Sequence, residues 1–138
     1  MEAPSTFELE VLDRDWIAGP AGAAFRGRVE AHLRDWATRS KLRERGVCIA
    51  ERDPVAFAAA FLAAVYAGVP AVIANPDWGT CERRALAEKV SPAAICGDLA
   101  WVSGEEPPPR PPRPGQILIP TGGTTGGLKL AVHDWAGL

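Results

Sequence analysis

The chain has 138 residues, of which 47% are hydrophobic and 23% are charged, and its formal net charge is −2 at pH 7. This length suffices for one domain with a hydrophobic core. The absence of any basic excess argues against a nucleic-acid partner, and no apolar stretch reaches membrane-spanning length. An N-terminus without the apolar core of a signal peptide predicts a cytoplasmic protein.

The first regular element predicted is a helix over residues 21–45, after an irregular lead-in. Its apolar residues recur at helical spacing on one face: Phe25, Val29, Leu33 and Trp36. Arginines interleaved with acidic residues occupy the rest. This mixture favours a solvated face over the alternative of a phosphate-binding helix. Gly46 fits the residue that follows a helix C-terminus.

Short apolar runs then alternate with helical patterns. Strands are predicted over residues 46–50, 69–76 and 92–98. Between the first two lies an almost entirely apolar helix, in which Asp53 can cap the free N–H groups and Pro54 suits the first position. Gly68 suits its exit. A helix that is apolar nearly all round is expected to lie between two layers.

A further helix is predicted within residues 77–90, capped by Thr80, with Glu82 near its start and Leu86 and Val90 on its inner side. The resulting β-α-β-α-β order predicts an α/β fold with a mostly parallel sheet flanked by helices. In such sheets, functional groups gather at the carboxyl ends of the strands.

The cysteines are interpreted as structural. Cys48, Cys81 and Cys96 include no pair at CxxC spacing, and the sequence has only two histidines. Cys48 and Cys96 lie in apolar, strand-like runs. Small buried side chains in a reducing compartment are therefore favoured over a redox or metal site.

Residues 103–115 form a segment rich in proline. Proline blocks helix and favours an extended polyproline conformation. We interpret this segment as a stiff connector between an α/β unit of residues 1–102 and a last segment of residues 116–138. A ligand for an SH3-type domain is the alternative interpretation.

The last segment holds a glycine-rich loop between two strand-like runs, QILIP and LKLAVHD. Glycine permits positive φ and close approach of the backbone to a ligand, and successive N–H groups can converge on an anion. Threonine hydroxyls and one lysine add donors. The pattern predicts a phosphate-binding loop made by Thr121, Gly122, Gly123, Thr124, Thr125, Gly126 and Lys129.

Two familiar phosphate motifs do not fit this loop. Walker A requires Lys directly after its last Gly and then Ser or Thr, whereas here Leu128 intervenes and Leu130 follows. The dinucleotide fingerprint requires Gly at i, i+2 and i+5, which GGTTGG does not supply. A strand after the loop would also offer no helix dipole. A glycine hairpin without a ligand remains the alternative.

The run TGGTTGGLK resembles the phosphate-binding signature of the acyl-adenylate-forming superfamily, Thr-Ser-Gly-Thr-Thr-Gly-x-Pro-Lys. Gly122 replaces the usual Ser, and Leu128 replaces the usual Pro. The upstream strand, the Ala-rich helix ending in AG and the strand ending in NP are also similar to that family. The residues after the loop most resemble the o-succinylbenzoate–CoA ligases, through Ala131, His133 and Trp135.

This resemblance implies an enzyme that joins a small-molecule carboxylate to AMP, using ATP and Mg²⁺, and passes the acyl group to coenzyme A. It implies that the loop from Thr121 to Gly126 binds the β- and γ-phosphates and that Lys129 supports the loop. A solvated lysine at a strand edge is the alternative for Lys129. His133 is a candidate for substrate binding, although a structural role is favoured, and Trp135 is expected in the core.

Members of this superfamily have a much larger N-terminal domain, so the resemblance implies that the chain is an N-terminal fragment, inactive alone. The Mg²⁺ ligand, the ribose-binding Asp, most of the acyl pocket and the catalytic Lys would lie elsewhere. Neither a catalytic residue nor a metal ligand is predicted within the chain. The alternatives are another acyl- or aryl-CoA ligase, an amino-acid-adenylating domain, a small non-catalytic phosphate-binding module, or an interaction protein using the Pro-rich segment.

Overall fold

A computed structural model of the chain describes residues 17–101, 111–122 and 127–137. These residues form an α/β fold with one mixed sheet flanked by helices. The elements are α1 (Pro20–Ala37), α2 (Ser40–Arg45), β1 (Val47–Ala50), α3 (Pro54–Ala67), β2 (Ala71–Ile73), α4 (Thr80–Ala87), β3 (Ala94–Gly97), β4 (Gln116–Gly122), β5 (Leu128–Asp134) and a 3₁₀ turn (Trp135–Gly137).

The single helix predicted over residues 21–45 is two helices. The Thr38 hydroxyl donates to the carbonyl oxygen of Asp35 at 2.8 Å, a local bond that competes with continuation of the helix. Arg39 then takes a non-helical conformation before α2 begins. Gly46, with φ of 77°, ends α2 as predicted.

The sheet has the strand order β3-β1-β2-β4-β5. The first four strands are parallel, and β5 pairs antiparallel with β4. The prediction of a mostly parallel sheet is therefore confirmed, and the hairpin makes the sheet mixed. The predicted Pro-rich connector falls largely on residues outside the described ranges.

Alternate residues of β1 point to opposite faces of the sheet, so the fold has two cores. On one face, Val47 and Ile49 pack in a cluster with residues of α1 and α3. On the other face, Cys48 and Ala50 pack in a cluster that includes Leu86 of α4. Helix α3 lies between α1 and the sheet, which agrees with its apolar surface.

The caps of α3 are those predicted from the sequence. The Asp53 carboxylate accepts a hydrogen bond from the Val55 N–H at 3.1 Å, and Pro54 is the first helical residue. Gly68 ends the helix with φ of 63°. The predicted Thr80 cap of α4 is wrong: Gly79 is the N-cap residue, and Thr80 is already helical.

The interpretation of the cysteines is confirmed for two of the three. Cys48 and Cys96 are buried free thiols, whereas Cys81 is exposed in the first turn of α4. Burial raises the pKa of Cys48 to about 12 and that of Cys96 to about 11. Both buried thiols are therefore protonated at neutral pH and are poor nucleophiles.

No helix in the described part of the chain is long and apolar enough to cross a membrane.

Candidate functional site

The connections that leave β1 and β2 turn to opposite faces of the sheet. The chain runs from β1 into α3, which packs with Ile49, and from β2 towards α4, whose Leu86 packs on the opposite face. Ligands of open α/β sheets bind outside the carboxyl ends of the strands, where neighbouring connections diverge in this way. The carboxyl edge at β1 and β2 is therefore the expected position of a site.

Strand β4 brings the glycine loop to this same edge. It runs parallel to β2, with Ala71 opposite Ile117 and Val72 opposite Leu118. It then continues for four more residues to Gly122, which at about 3.3 Å per residue carries the chain about 13 Å further. The β4–β5 hairpin thus extends past the paired part of β2 and carries the loop at its tip.

Two of the predicted phosphate-binding residues face each other at the base of this loop. Thr121 and Lys129 are register partners across the hairpin, and both are exposed. Residues directly opposite in an antiparallel pair point to the same face, with Cβ atoms about 4.5–5.5 Å apart. The two side chains therefore start from the same face of the hairpin, although eight positions separate them in sequence.

Gly122, opposite Leu128, is the next predicted residue of the loop. A Cβ atom built at Gly122 would meet nothing within 4 Å, so the backbone borders open space on that side. Gly127, at the other end of the loop, has φ of 73°. The remaining predicted loop residues lie outside the described ranges: Gly123, Thr124, Thr125 and Gly126.

The structure does not bring His133 to this position. His133 is opposite Ile117, four residues along β5 from Lys129, and it is exposed. At about 3.4 Å per residue, this spacing puts the two backbones about 14 Å apart. Its assignment to substrate binding remains a prediction.

The expectation that Trp135 lies in the core is wrong. Its side chain is 45% exposed, because Trp135 follows an edge strand and lies beyond the main helix–sheet contacts. It does make one specific contact: its ring meets that of Phe61 from α3 edge to face, with 5.9 Å between the centroids.

The sequence analysis missed a charged pair that spans the carboxyl edge. Arg52 follows β1 and Asp77 follows β2, and their Nη2 and Oδ1 atoms are 2.6 Å apart. The Asn75 side chain holds this turn, because its Oδ1 accepts from the Asp77 N–H at 2.9 Å. The hydrogen bond that Arg52 donates to Asp77, and the charges of Asp77 and Asp98, raise the pKa of Arg52. The available sequence signal was a charged residue within a few positions of the end of each of two apolar strands.

Helix α1 supplies a second set of charged groups near the end of β1. Arg28 binds Asp53 at 2.7 Å, so the carboxylate that caps α3 also ties α1 to α3. The hydrogen bond from Arg28, followed by that from the Val55 N–H, lowers the pKa of Asp53. Arg39, which lies between α1 and α2, pairs with Asp35 of α1. These exposed pairings agree with the predicted solvated face.

His32 is a half-buried histidine of α1. It lies against Trp36, with 5.0 Å between ring centroids. Burial, the largest influence, lowers the pKa of His32 below its ordinary value of 6.5, and Arg28 lowers it further, against the opposing effects of Glu51 and Asp35. The unfolded chain therefore binds a proton that the folded chain disfavours, and protonation opposes folding.

We therefore expect the free energy of unfolding to fall as the pH decreases from 7.5 through 6.5 towards the lower pKa of folded His32. Urea unfolding at pH 7.5, 6.5 and 5.5 measures this slope, and His32→Gln should make it shallower. An identical slope in the variant would show that His32 is not the group responsible.

The donor set around the loop suits an anion better than a cation. Thr121 and Lys129 offer hydrogen-bond donors and a positive charge, which match phosphate oxygens. In the described ranges no cluster of three or more His, Cys, Asp or Glu side chains is arranged to hold a metal ion. Within the described ranges, the groups at the base of the loop thus suit phosphate oxygens.

No family model matches this chain, and no curated protein or solved structure shows significant similarity to it.

Proposed function

We propose that the chain is the N-terminal part of an AMP-forming carboxylate–CoA ligase and that its glycine hairpin binds the β- and γ-phosphates of ATP. The observation that carries this proposal is the pairing of Thr121 with Lys129 at the base of a glycine loop, at the carboxyl edge of the sheet. The resemblance of the loop to the adenylate-forming signature supplies the reaction class. o-Succinylbenzoate is the first carboxylate to test.

In the proposed first step, a carboxylate oxygen attacks the α-phosphorus of ATP. The bond from that phosphorus to the oxygen bridging the α- and β-phosphates breaks, and pyrophosphate leaves with the electron pair. Negative charge grows on the leaving phosphates, where the Thr121 hydroxyl, the loop N–H groups and the Lys129 ammonium would stabilise it. The product is an acyl-AMP mixed anhydride.

In the second step, the thiol of coenzyme A attacks the acyl carbonyl carbon. The bond to the AMP oxygen breaks, AMP leaves, and the thiol proton passes to solvent. No residue of this chain is assigned to that step. The proposal assigns to this chain only the binding of ATP and the stabilisation of the charge on its phosphates. The exposed hydrogen-bond donors at the base of the loop suit that role.

The test is carboxylate-dependent exchange of labelled pyrophosphate into ATP, catalysed by the protein translated from the reading frame continued beyond Leu138. Lys129→Ala is expected to reduce the exchange rate at least tenfold, because it removes a cation aimed at developing charge, an effect of about 1.5–3 kcal/mol. Thr121→Val should reduce the rate less. The control is Lys41→Ala, which removes another exposed lysine, in α2.

Unchanged exchange in both Lys129→Ala and Thr121→Val would contradict the phosphate-binding assignment. A panel of carboxylates headed by o-succinylbenzoate would separate this substrate from other acyl, aryl and amino acids. For the 138-residue chain alone we expect ATP binding without acyl-AMP formation. If the protein translated from the extended reading frame also bound ATP without exchanging pyrophosphate, a non-catalytic phosphate-binding module would be the better assignment.

A further inference from the structure

We propose that the corner between α3 and the β4–β5 hairpin binds the apolar part of an aryl-substituted carboxylate, whose carboxylate group lies towards Lys129. The floor of this α3–hairpin corner is Ile119 and Ala131, and its wall is Phe57 and Phe61 of α3. The inference rests on the proposed function, because it names the substrate class of that ligase. Each residue of the corner lies within the described ranges.

The floor of the corner is one face of the hairpin. Ile119 is the register partner of Ala131, and Thr121 is the register partner of Lys129. Register partners point to the same face, and so do residues two positions apart along a strand, so these four side chains share a face. The alternate apolar residues of β5 pack in the cluster on the opposite face of the sheet, which carries α4: Leu128 and Leu130.

Helix α3 lies on the same side of the sheet as this floor. Ile73 of β2 and Phe61 of α3 both pack against the cluster on that side. Val72 of β2 is opposite Leu118 of β4. Continued by one residue, this register puts Ile119 level with Ile73, at a strand spacing of about 4.8 Å. Ile119 is nevertheless 39% exposed, so the cover that α3 gives to the sheet ends between β2 and β4.

A direct contact closes one end of the corner. The Trp135 ring meets that of Phe61 edge to face at 5.9 Å, and Phe61 stacks with Phe57 at 6.2 Å between centroids. The Trp135 N–H donates to the Gly115 carbonyl at 3.0 Å, which holds the turn after β5 beside the start of β4. Because α3 begins after β1 at the carboxyl edge, Phe57 lies nearer to that edge than Phe61. The aromatic wall therefore runs from Trp135 towards the carboxyl edge.

The charges of the corner favour an anionic ligand. On its face of the hairpin, the described titratable side chains are Lys129 and His133, and Asp134 alternates to the opposite face. Helix α3 contains no charged residue between Pro54 and Ala67. An apolar surface with a cation at one end and no acid beside it suits a carboxylate with an apolar tail.

The spacing of side chains along the hairpin indicates the shape of the ligand. The pair Ile119–Ala131 and the pair Thr121–Lys129 are successive pairs on this face, about 7 Å apart along the strands. An aryl ring on the first pair therefore has its carboxylate beside the second pair when a short alkyl spacer joins the two. 4-Phenylbutyrate has this shape. The carboxylate then lies at the base of the glycine loop, to which the proposed function assigns the phosphates.

The experiment measures binding of 4-phenylbutyrate, acetate and 4-phenylbutylamine to the 138-residue chain by isothermal titration. The chain is expected to bind 4-phenylbutyrate about tenfold more tightly than acetate, which lacks the ring, or the amine, which reverses the charge. Ile119→Ser should weaken 4-phenylbutyrate binding about fivefold, because it removes apolar surface from the floor. Lys129→Ala should weaken it by a similar factor, and an unchanged affinity in that variant would overturn the proposal.

Val132→Ser is the matched control for Ile119→Ser. Val132 is also β-branched, is 53% exposed and lies in the same hairpin, but it is the register partner of Leu118 and points to the opposite face. Val132→Ser is expected to leave the affinity for 4-phenylbutyrate unchanged. Equal weakening in the two variants, or none in Ile119→Ser, would overturn the proposal. Circular dichroism of each variant shows that it is folded before titration.

A second copy of the chain is the competing occupant of the corner. Sedimentation velocity of the parent chain, with and without 4-phenylbutyrate, tests it at the concentrations used for titration. A dimer that Ile119→Ser dissociates, and that 4-phenylbutyrate leaves intact, would assign the corner to self-association and overturn the proposal.

Titration with ATP separates this proposal from the one on which it rests. If Lys129→Ala weakened ATP binding while Ile119→Ser left 4-phenylbutyrate binding unchanged, the corner would be overturned and the phosphate assignment would stand. If 4-phenylbutyrate binding depended on Ile119 while the parent chain bound no ATP, the corner would stand as a carboxylate site and the proposed function would fail.

Discussion

Replacement of Gly97 by alanine is expected to lower the free energy of unfolding by about 3 kcal/mol or more, the sum of a strained backbone and an overpacked contact. Gly97 ends β3 with φ of 97°, a conformation that side chains oppose. A Cβ atom there would overlap the Ala50 carbonyl oxygen and lie 2.5 Å from its carbon. Because Ala50 is the register partner of Gly97, neither strand can move away without loss of pairing.

Two other glycines serve as controls for Gly97→Ala in urea unfolding. Gly68 also has positive φ, but a Cβ there would meet nothing within 4 Å, so Gly68→Ala should cost only the conformational part, about 1–2 kcal/mol. Gly27 lies within α1 with open space around it, and Gly27→Ala should stabilise by up to about 1 kcal/mol. A cost for Gly97→Ala no larger than that for Gly68→Ala would contradict the close approach of β3 to β1.

The second large effect is expected for Leu86→Ala, a loss of about 2–5 kcal/mol in the free energy of unfolding. Leu86 is fully buried and attaches α4 to the sheet face that carries Cys48 and Val72. Truncation removes apolar contacts and leaves a cavity that a short helix can fill only by shifting. Thermal and urea unfolding should both show the loss.

Val132→Ala is the matched control for Leu86→Ala. Val132 is also apolar but 53% exposed on the edge strand β5, so its truncation should change the free energy of unfolding by less than about 0.5 kcal/mol. If the two variants were equally stable, Leu86 would not anchor α4 as the structure indicates.

Gly97 and Leu86 also hold the strands and the helix that border the carboxyl edge of the sheet. Gly97 lets β3 approach β1 at the carboxyl edge, and Asp98 follows β3 directly. Leu86 holds α4, and hence the connection from β2 that contains Asp77. Neither residue lies in the loop itself. Substitutions at the exposed Lys129 are therefore better probes of ligand binding than changes in this scaffold.

The position of Trp135 beside the edge strand β5 explains why the prediction that it is buried was wrong. Exposed large apolar residues in the described ranges all belong to the hairpin and the turn after it: Ile119, Val132 and Trp135. Apolar character alone predicts burial, but these residues lie at the edge of the sheet, where fewer neighbouring elements cover them. Whether a large residue is covered depends on neighbours that its own segment does not encode.

Local sequence was enough to predict which segments are helices or strands and where many of them begin and end. Apolar spacing predicted the helices and strands, and Asp53, Pro54 and Gly68 bounded α3 as expected, because caps and turns depend on groups only a few residues away. Local reasoning gave the wrong boundary at two helices. The Thr38 hydroxyl interrupts the long helix, and Gly79 rather than Thr80 precedes α4.

The sequence by itself determined the α/β class, the two-sided core and the glycine loop with its flanking strands, since each follows from apolar periodicity and residue type. Only the tertiary structure decided that Thr121 faces Lys129 and that Arg52 reaches Asp77. Strand order and register depend on hydrogen bonds between segments far apart in the chain. A periodic pattern shows which residues share a face, but it does not show which strand lies beside which.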